Sequence, residues 1–466
     1  MIMIFLIIRG DNLSKKVIVI GGNAAGLSAA SQVKRTNPDW ESIVLEKTQE
    51  VSYAGCGIPY YIQGKMDSHE DLFALSKEAI TEKRNIDLRL DTVVETVNPE
   101  KNTLTYSKDG QTLEESYDYL VIASGASPSN KGITVESGDA FTIRNVEDGV
   151  KIKEFIQEKG PQKVGVIGGG YIALEMVEVL SQMGLDTTLI HRRDQLNRAF
   201  EEETSKDILE ILKDNKVNLE LNTEIYKVEE KKEGETTKTV AVPKEGEPLE
   251  FDLIILALGV APNTKFLEGS GIELGISDTV KVNRNMKTNF KNIYSAGDCA
   301  ETVDLITGQP VFLPLALKAN KEGSIAGTNI AREADIEEFP GVAKSSILKI
   351  FDYGVAITGL TKGEAKKKGF ECESIEVTSM SRPHYYPGGG KIKILVNFDH
   401  GTGRILGAQI IGPVDEAKKI DVYTTLIQLK GTVKDLYNLD LAYAPPFSPV
   451  YDPAVLSGRV AKKKLK

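Results

Sequence analysis

KKVIVIGGNAAGLSAASQVKR, residues 15–35, reads as a single unit: a run of β-branched residues, a glycine turn, then apolar positions at helical spacing. A short second strand, SIVLE, follows and ends at Glu46. The same order returns in QKVGVIGGGYIALEMVEVLSQMG, residues 162–184, followed by DTTLIHRR, with Gly168 standing 147 positions after Gly21. Near-continuous apolar strands belong to parallel sheets covered on both faces, and the intervening helix supplies the crossover that parallel strands need. Two such units in one chain predict an α/β protein with two Rossmann-like dinucleotide-binding folds.

Working outward, YLVIASGASP (119–128), LIILALGVAPN (253–263) and NIYSAGDCAE (292–301) are short apolar strands ending in small residues, placed to complete the two sheets. The polar stretch EEKKEGETTKTVAVPKEGEPLE, 229–250, predicts an exposed hairpin whose charges form a solvated face. From about Phe339 the strands alternate (SSILKIFDYGVAITGL, KIKILVNFD, GRILGAQIIG) and a helix over 415–430 follows, so a C-terminal α+β domain begins there. The predicted organisation is a first nucleotide fold in two pieces, 14–128 and 264–336, a second nucleotide fold at 129–263, and a third domain at 337–466. The opening MIMIFLIIRG has eight apolar residues before Arg9, too few to span a membrane, and lacks the basic region and cleavage site of a signal peptide. Residues 1–13 are therefore expected to be an N-terminal extension.

A chain of 466 residues has room for about three domains. Its 41% hydrophobic and 27% charged content is that of a globular protein, and a net charge of −10 offers no broad basic field for nucleic acid or an anionic membrane. Three scattered cysteines, Cys56, Cys299 and Cys372, make neither a disulfide framework nor a paired-cysteine zinc site, and no metal is expected. A reducing cytoplasm fits this usage best.

In a dinucleotide-binding turn, glycines let the backbone approach a pyrophosphate while the following helix presents unpaired N–H groups. Gly21, Gly22, Ala25 and Gly26 occupy the first turn, Asn23 replacing the usual second glycine, and Glu46 stands where an acid accepts ribose hydroxyls. The second turn has Gly168 and Gly170, with Tyr171, Ile172 and Glu175 opening its helix and Gly259 at the end of a neighbouring strand. Its second strand ends not in an acid but in His191, Arg192 and Arg193, with Arg198 beyond. Such a set suits a 2′-phosphate, so NADPH is the predicted donor, with NADH left open.

One such turn near the N-terminus, a second near the middle, and YSAGDCAE beyond both resemble the FAD-dependent pyridine nucleotide-disulfide oxidoreductases over essentially the whole chain from Ser14. The resemblance implies FAD on the first fold, the pyridine nucleotide on the second, and a C-terminal dimerisation domain that makes a homodimer. It also implies that Asp298 and the strand end from Ala123 to Gly125 lie beside the FAD. SYAGCGIPYYIQG, 52–64, is the discriminating stretch: Tyr61 stands where two-cysteine members have their second cysteine, so no intramolecular redox disulfide can form and Cys56 must carry the chemistry. A thiolate near a flavin at a helix start is expected to have a lowered pKa.

This single-cysteine class includes coenzyme A disulfide reductase, CoA-persulfide and polysulfide reductases, NADH peroxidase and NADH oxidase. Ala24 sits where the peroxide and oxygen enzymes have a histidine. HYYPG (384–388) and LDLAYAPPFSPVYD (439–452) resemble segments that supply two tyrosines to a partner's site, here Tyr386 and Tyr443, with Tyr385 a substitute for the first; as structure alone, such tyrosines serve as half-buried anchors. The family's coenzyme A contacts fall on Ser28, Gln32 and Arg35 of the first helix, on Ser52 and Gly55, on Arg84, and on Asn320 and Tyr451. The expected reaction is reduction of CoA disulfide through a Cys56 mixed disulfide. Persulfide, polysulfide or oxygen as acceptor, and a non-catalytic flavin-binding sensor, remain the alternatives.

Overall fold

The computed structural model describes residues 14–233 and 236–465; the proposed extension 1–13 lies outside them. The first nucleotide fold is a parallel five-stranded sheet in the order Ile293–Ser295, Tyr119–Ile122, Lys16–Ile20, Glu41–Leu45, Asp87–Arg89. Ile18 lies opposite both Ile43 and Leu120, and all three are fully buried, as a strand covered on both faces demands. The second repeats the plan: Ala140–Thr142, Leu253–Leu256, Lys163–Ile167, Asp186–His191, Asn218–Leu221, again all parallel. Each central strand leads through its glycine turn into a helix, Ala24–Thr36 in the first fold and Tyr171–Gln182 in the second.

An antiparallel meander (Val93–Asn98, Thr103–Lys108, Gln111–Ser116) is inserted in the first fold. The polar stretch near 229–250 does form a hairpin, Ile225–Glu233 with Thr236–Pro243, but it is not wholly exposed. Val228 and Ala241 pack in one buried cluster with Ile133, Ile190 and Phe251, and Thr239 and Val240 are buried as well, in a hairpin that belongs to a four-stranded sheet. Successive strand residues point to opposite faces, so the burial of Thr239, Val240 and Ala241 in a row means that both faces of the hairpin are covered at that point.

The C-terminal sheet is antiparallel, ordered Ser346–Ile350, Tyr353–Gly359, Ile405–Pro413, Lys391–Asp399, Cys372–Met380. The helix expected over 415–430 begins as a 3-10 turn, Val414–Lys419, and becomes α-helical at Ile420–Gln428. Among the described residues no helix is long and apolar enough to cross a membrane.

One packing contact was not foreseen. The helix Ala316–Arg332 lies against the first glycine-turn helix at backbone distance, because Gly323 and Gly327 face Ala25 and Ala29. A Cβ on Gly323 would stand 2.1 Å from the Ala25 carbonyl oxygen, and one on Gly327 would stand 2.5 Å from that of Ala29. Only glycine allows this approach.

Candidate active site

The first glycine turn is built for close contact. Gly21 has φ +104, and a Cβ there would overlap the Ala123 carbonyl oxygen at 2.2 Å. At Gly26 a Cβ would meet the Gly21 carbonyl oxygen at 1.9 Å, so the helix can seat only on glycine. Glu46, at the end of its strand, accepts the Gly22 N–H at 2.8 Å and the Thr48 N–H and hydroxyl at 3.0 and 2.9 Å. These bonds fix its carboxylate at the rim of the turn, where a ribose would lie. Ala25 is buried beneath the turn, packed with Ala296 and Ala319.

Cys56 is exposed, in the short 3-10 turn Gly55–Gly57 that precedes the five-residue helix Ile58–Ile62. Protein atoms crowding its sulfur push the thiol above its ordinary pKa, and the Glu175 and Asp298 carboxylates push the same way, while Arg144 opposes them. The expected lowering is therefore not what the polypeptide alone provides. A five-residue helix offers little dipole, and two carboxylates outweigh one guanidinium. Tyr61, in the place of a second cysteine, is buried with Lys153 Nζ 3.9 Å above its ring. Cys299 and Cys372 are both buried, Cys299 within the first fold and Cys372 in the C-terminal core.

Arg144 went unremarked in the sequence. Its Nη2 holds Asp298 Oδ2 at 2.7 Å and lies 3.8 Å from where a Cβ on Gly125 would stand. The loop carrying it is anchored by a capping box at Asn145, whose side chain accepts from the Asp148 N–H. No local signal marks this arginine, because its partners come from the distant segments around residues 56, 125 and 298.

On the second fold, Gly168 presses its turn against the Ala257 carbonyl, while a side chain at Gly170 would find nothing within 4 Å, leaving open space for a ligand. Ile172 is exposed. Tyr171 packs edge-on against Phe200, its hydroxyl accepting from Ser346 Oγ at 2.6 Å. Glu175 is pushed up to about 7 by burial and by the neighbouring Glu178. His191 is held below its usual value by burial and by Arg193 and Arg192, and its ring lies against Gly169. Gly259 has φ +95 and accepts the Ser129 N–H at 2.9 Å, tying the end of its strand to the linker between the folds.

Five of the candidate thiol-substrate residues form one cluster. Ser28 Oγ donates to Asn320 Oδ1 at 2.9 Å, Arg35 Nη1 donates to Gln32 Oε1 at 2.9 Å, and Arg84 Nη1 donates to Ser31 Oγ at 2.6 Å on the same helix. Ser52 and Gly55 flank the cysteine, with Ser52 at φ +57 and its N–H bonded to the Gly22 carbonyl at 3.1 Å. The C-terminal tyrosines are elsewhere. It is Tyr385, rather than Tyr386, that meets Tyr443, their hydroxyls 3.5 Å apart, while Tyr386 lies under Arg382 and Tyr451 under Arg459. No hydrogen bond or ring contact joins these tyrosines to Cys56 within the described residues of one chain. Tyr385, Tyr443, Phe447 and Tyr451 are 64, 45, 72 and 52% exposed.

Residues 15–323 match the pyridine nucleotide-disulphide oxidoreductase model, and residues 345–455 match the dimerisation domain of the same family. The chain belongs to the pyridine nucleotide-disulphide oxidoreductases. As a member it is an FAD-dependent, NAD(P)H-using oxidoreductase with a dimerisation domain, and the two glycine cradles and Glu46 fit those nucleotides. It is 38% identical over 97% of its length to all of an NAD(P)H coenzyme A polysulfide/persulfide reductase from Pyrococcus horikoshii. It is 34% identical over 96% of its length to all of a coenzyme A disulfide reductase from Staphylococcus aureus. Among solved structures, the reduced CoADR-RHD of Bacillus anthracis superposes with a TM-score of 0.91 at 34% identity, covering 97% of this chain and 80% of that one.

Proposed function

We propose that this oxidoreductase reduces coenzyme A disulfide through Cys56, by way of a Cys56–S–S–CoA mixed disulfide. The observation that carries the reading is an exposed, solitary cysteine at the mouth of the first nucleotide fold, beside Asp298 and Arg144, with the second-cysteine position filled by the buried Tyr61. A dithiol cannot form there, so a disulfide at Cys56 takes its second sulfur from the substrate.

FAD held by the first glycine turn and Glu46 would supply, from NAD(P)H, the two electrons that the Cys56 sulfur needs. Cys56 as thiolate attacks one sulfur of the disulfide; the Cys56–S bond forms, the S–S bond breaks, and one CoA thiolate leaves. Two electrons then cleave the mixed disulfide, returning the Cys56 thiolate and releasing a second CoA thiolate. Arg144 favours the thiolate at Cys56 while it also holds Asp298. The cluster of Ser28, Gln32, Arg35, Arg84 and Asn320 would bind CoA along the first helix, and Tyr443 with Tyr385 or Tyr386 of a second subunit would hydrogen-bond the departing thiolate. Arg192, Arg193 and Arg198 support NADPH as the preferred donor.

A second reading, reduction of CoA persulfide or polysulfide, is favoured by the name of the Pyrococcus horikoshii relative, and uses the same thiolate and the same electrons. Denaturing mass spectrometry of the purified protein before and after reduction tests the shared core. A reductant-sensitive adduct of CoA mass on Cys56 is expected, and turnover of CoA disulfide at the wild-type rate by Cys56→Ala would refute it. Anaerobic NADPH consumption with CoA disulfide against CoA persulfide then ranks the two substrates.

A further inference from the structure

The linker between the nucleotide folds carries a cation that the glycine-turn pattern does not include. Lys131 sits in that linker with φ +44, a left-handed conformation uncommon outside glycine, and hydrogen bonds fix the chain around it. The fixing is visible: the Ser129 N–H bonds to the Gly259 carbonyl at 2.9 Å, the Lys131 N–H to Ser129 Oγ at 3.3 Å, and the Ile133 N–H to the Asn130 carbonyl at 2.9 Å. The side chain then passes over the end of the strand Leu253–Leu256, placing Nζ 3.4 Å from where a Cβ on Gly259 would stand. Two residues before Gly259, the Ala257 carbonyl packs against Gly168, the first glycine of the pyridine-nucleotide turn.

The ammonium has hostile company. Its charged form is disfavoured first by partial burial and then by Arg192, Arg193 and Arg198, which reach it from the end and aftermath of the strand Asp186–His191. Arg193 is itself disfavoured by burial and then by Arg198 and Arg192. Among the described residues none of these four cations has a carboxylate partner or a side-chain hydrogen bond. On the same nucleotide fold, Gly170 of the glycine turn leaves space that no side chain enters. Four like charges drawn together from two separate segments, with none of them neutralised, describe a site that is completed by a polyanion.

We propose that Lys131 is a phosphate-contacting residue of the pyridine-nucleotide site, delivered by the linker to close a four-cation cup with Arg192, Arg193 and Arg198. The ligand chemistry is a phosphate of the bound dinucleotide, either the 2′-phosphate of NADPH or the pyrophosphate shared with NADH. This rests on pyridine-nucleotide binding alone and is independent of the thiol substrate.

The test is isothermal titration of NADP+ and of NAD+ into the FAD-loaded wild type, Lys131→Met and Lys131→Arg proteins, with flavin content and melting temperature matched first. Loss of one charge-assisted contact raises the Kd for NADP+ about tenfold in Lys131→Met, and Lys131→Arg keeps the affinity within about threefold. A rise confined to NADP+ assigns the contact to the 2′-phosphate, and an equal rise for NAD+ assigns it to the pyrophosphate. A Kd for NADP+ within twofold of wild type in Lys131→Met, or an equal loss in Lys131→Arg, overturns the proposal.

Discussion

Arg144 and Asp298 meet at 2.7 Å across 154 positions of sequence, and the same guanidinium is the cation that opposes the two carboxylates raising Cys56. The thiol is thus set by a balance in which each member can be removed singly. Arg144→Met leaves Asp298 and Glu175 unopposed, so the midpoint of the pH profile for Cys56 alkylation moves up and the iodoacetamide rate at pH 8 falls about threefold. Asp298→Asn moves it down. A profile unchanged in both variants would show that Arg144 plays no part in tuning the sulfur.

Glu175 carries a pH signature in stability. Burial and Glu178 raise its folded-state pKa to about 7 from the ordinary glutamate value of 4.5. The folded protein therefore binds this proton more tightly than the unfolded chain does. The resulting stabilisation is fully present below about pH 4.5, declines above it, and is lost once pH passes 7; the whole span is worth at most about 3 kcal/mol. Glu175→Gln removes the titration. Its melting temperature, measured without nucleotide, should fall less than the wild type's between pH 5 and pH 8.

The tyrosine pair gives a test of the partner-subunit role. Tyr385 and Tyr443 share a hydroxyl contact whereas Tyr386 is occupied with Arg382. Tyr443→Phe and Tyr385→Phe should each lower kcat for CoA disulfide about a hundredfold, with Tyr386→Phe closer to wild type. Heterodimers mixing Cys56→Ser and Tyr443→Phe subunits contain one intact composite site, and should recover activity that neither parent homodimer has.

The glycine crossing of the two helices couples stability to the substrate surface. Gly327→Val forces the side chain into the Ala29 carbonyl, which a Cβ already approaches at 2.5 Å. Overpacking of this kind costs about 1–3 kcal/mol, readable as a lower urea midpoint. It also separates Ser28 from Asn320, so the KM for CoA disulfide should rise more than kcat falls.

Much of this could be read in the chain. The two βαβ units were legible because buried parallel strands have a continuous apolar pattern and glycine turns have a fixed order; both arose where Gly21 and Gly168 put them. Cys56 stood out as a candidate because a lone cysteine between glycines is chemically conspicuous, and in the fold it is exposed. Arg144 and Lys131 were not, since an arginine before a helix cap and a lysine in a linker look like ordinary solvated residues. The hairpin near 240 was half missed for a related reason: its charge run says nothing of the burial of Val228 and Ala241, which depends on packing with distant residues such as Ile133 and Ile190.

Local spacing by itself determined the nucleotide folds, the C-terminal antiparallel domain and the solitary sulfur, because period and turn chemistry act over a few residues. Only the tertiary structure decided which charges surround that sulfur, which tyrosine meets Tyr443, and that Gly323 and Gly327 bring Asn320 to Ser28. Electrostatic energy and close packing depend on distances through space, and between residues 28 and 320 no sequence pattern encodes that distance.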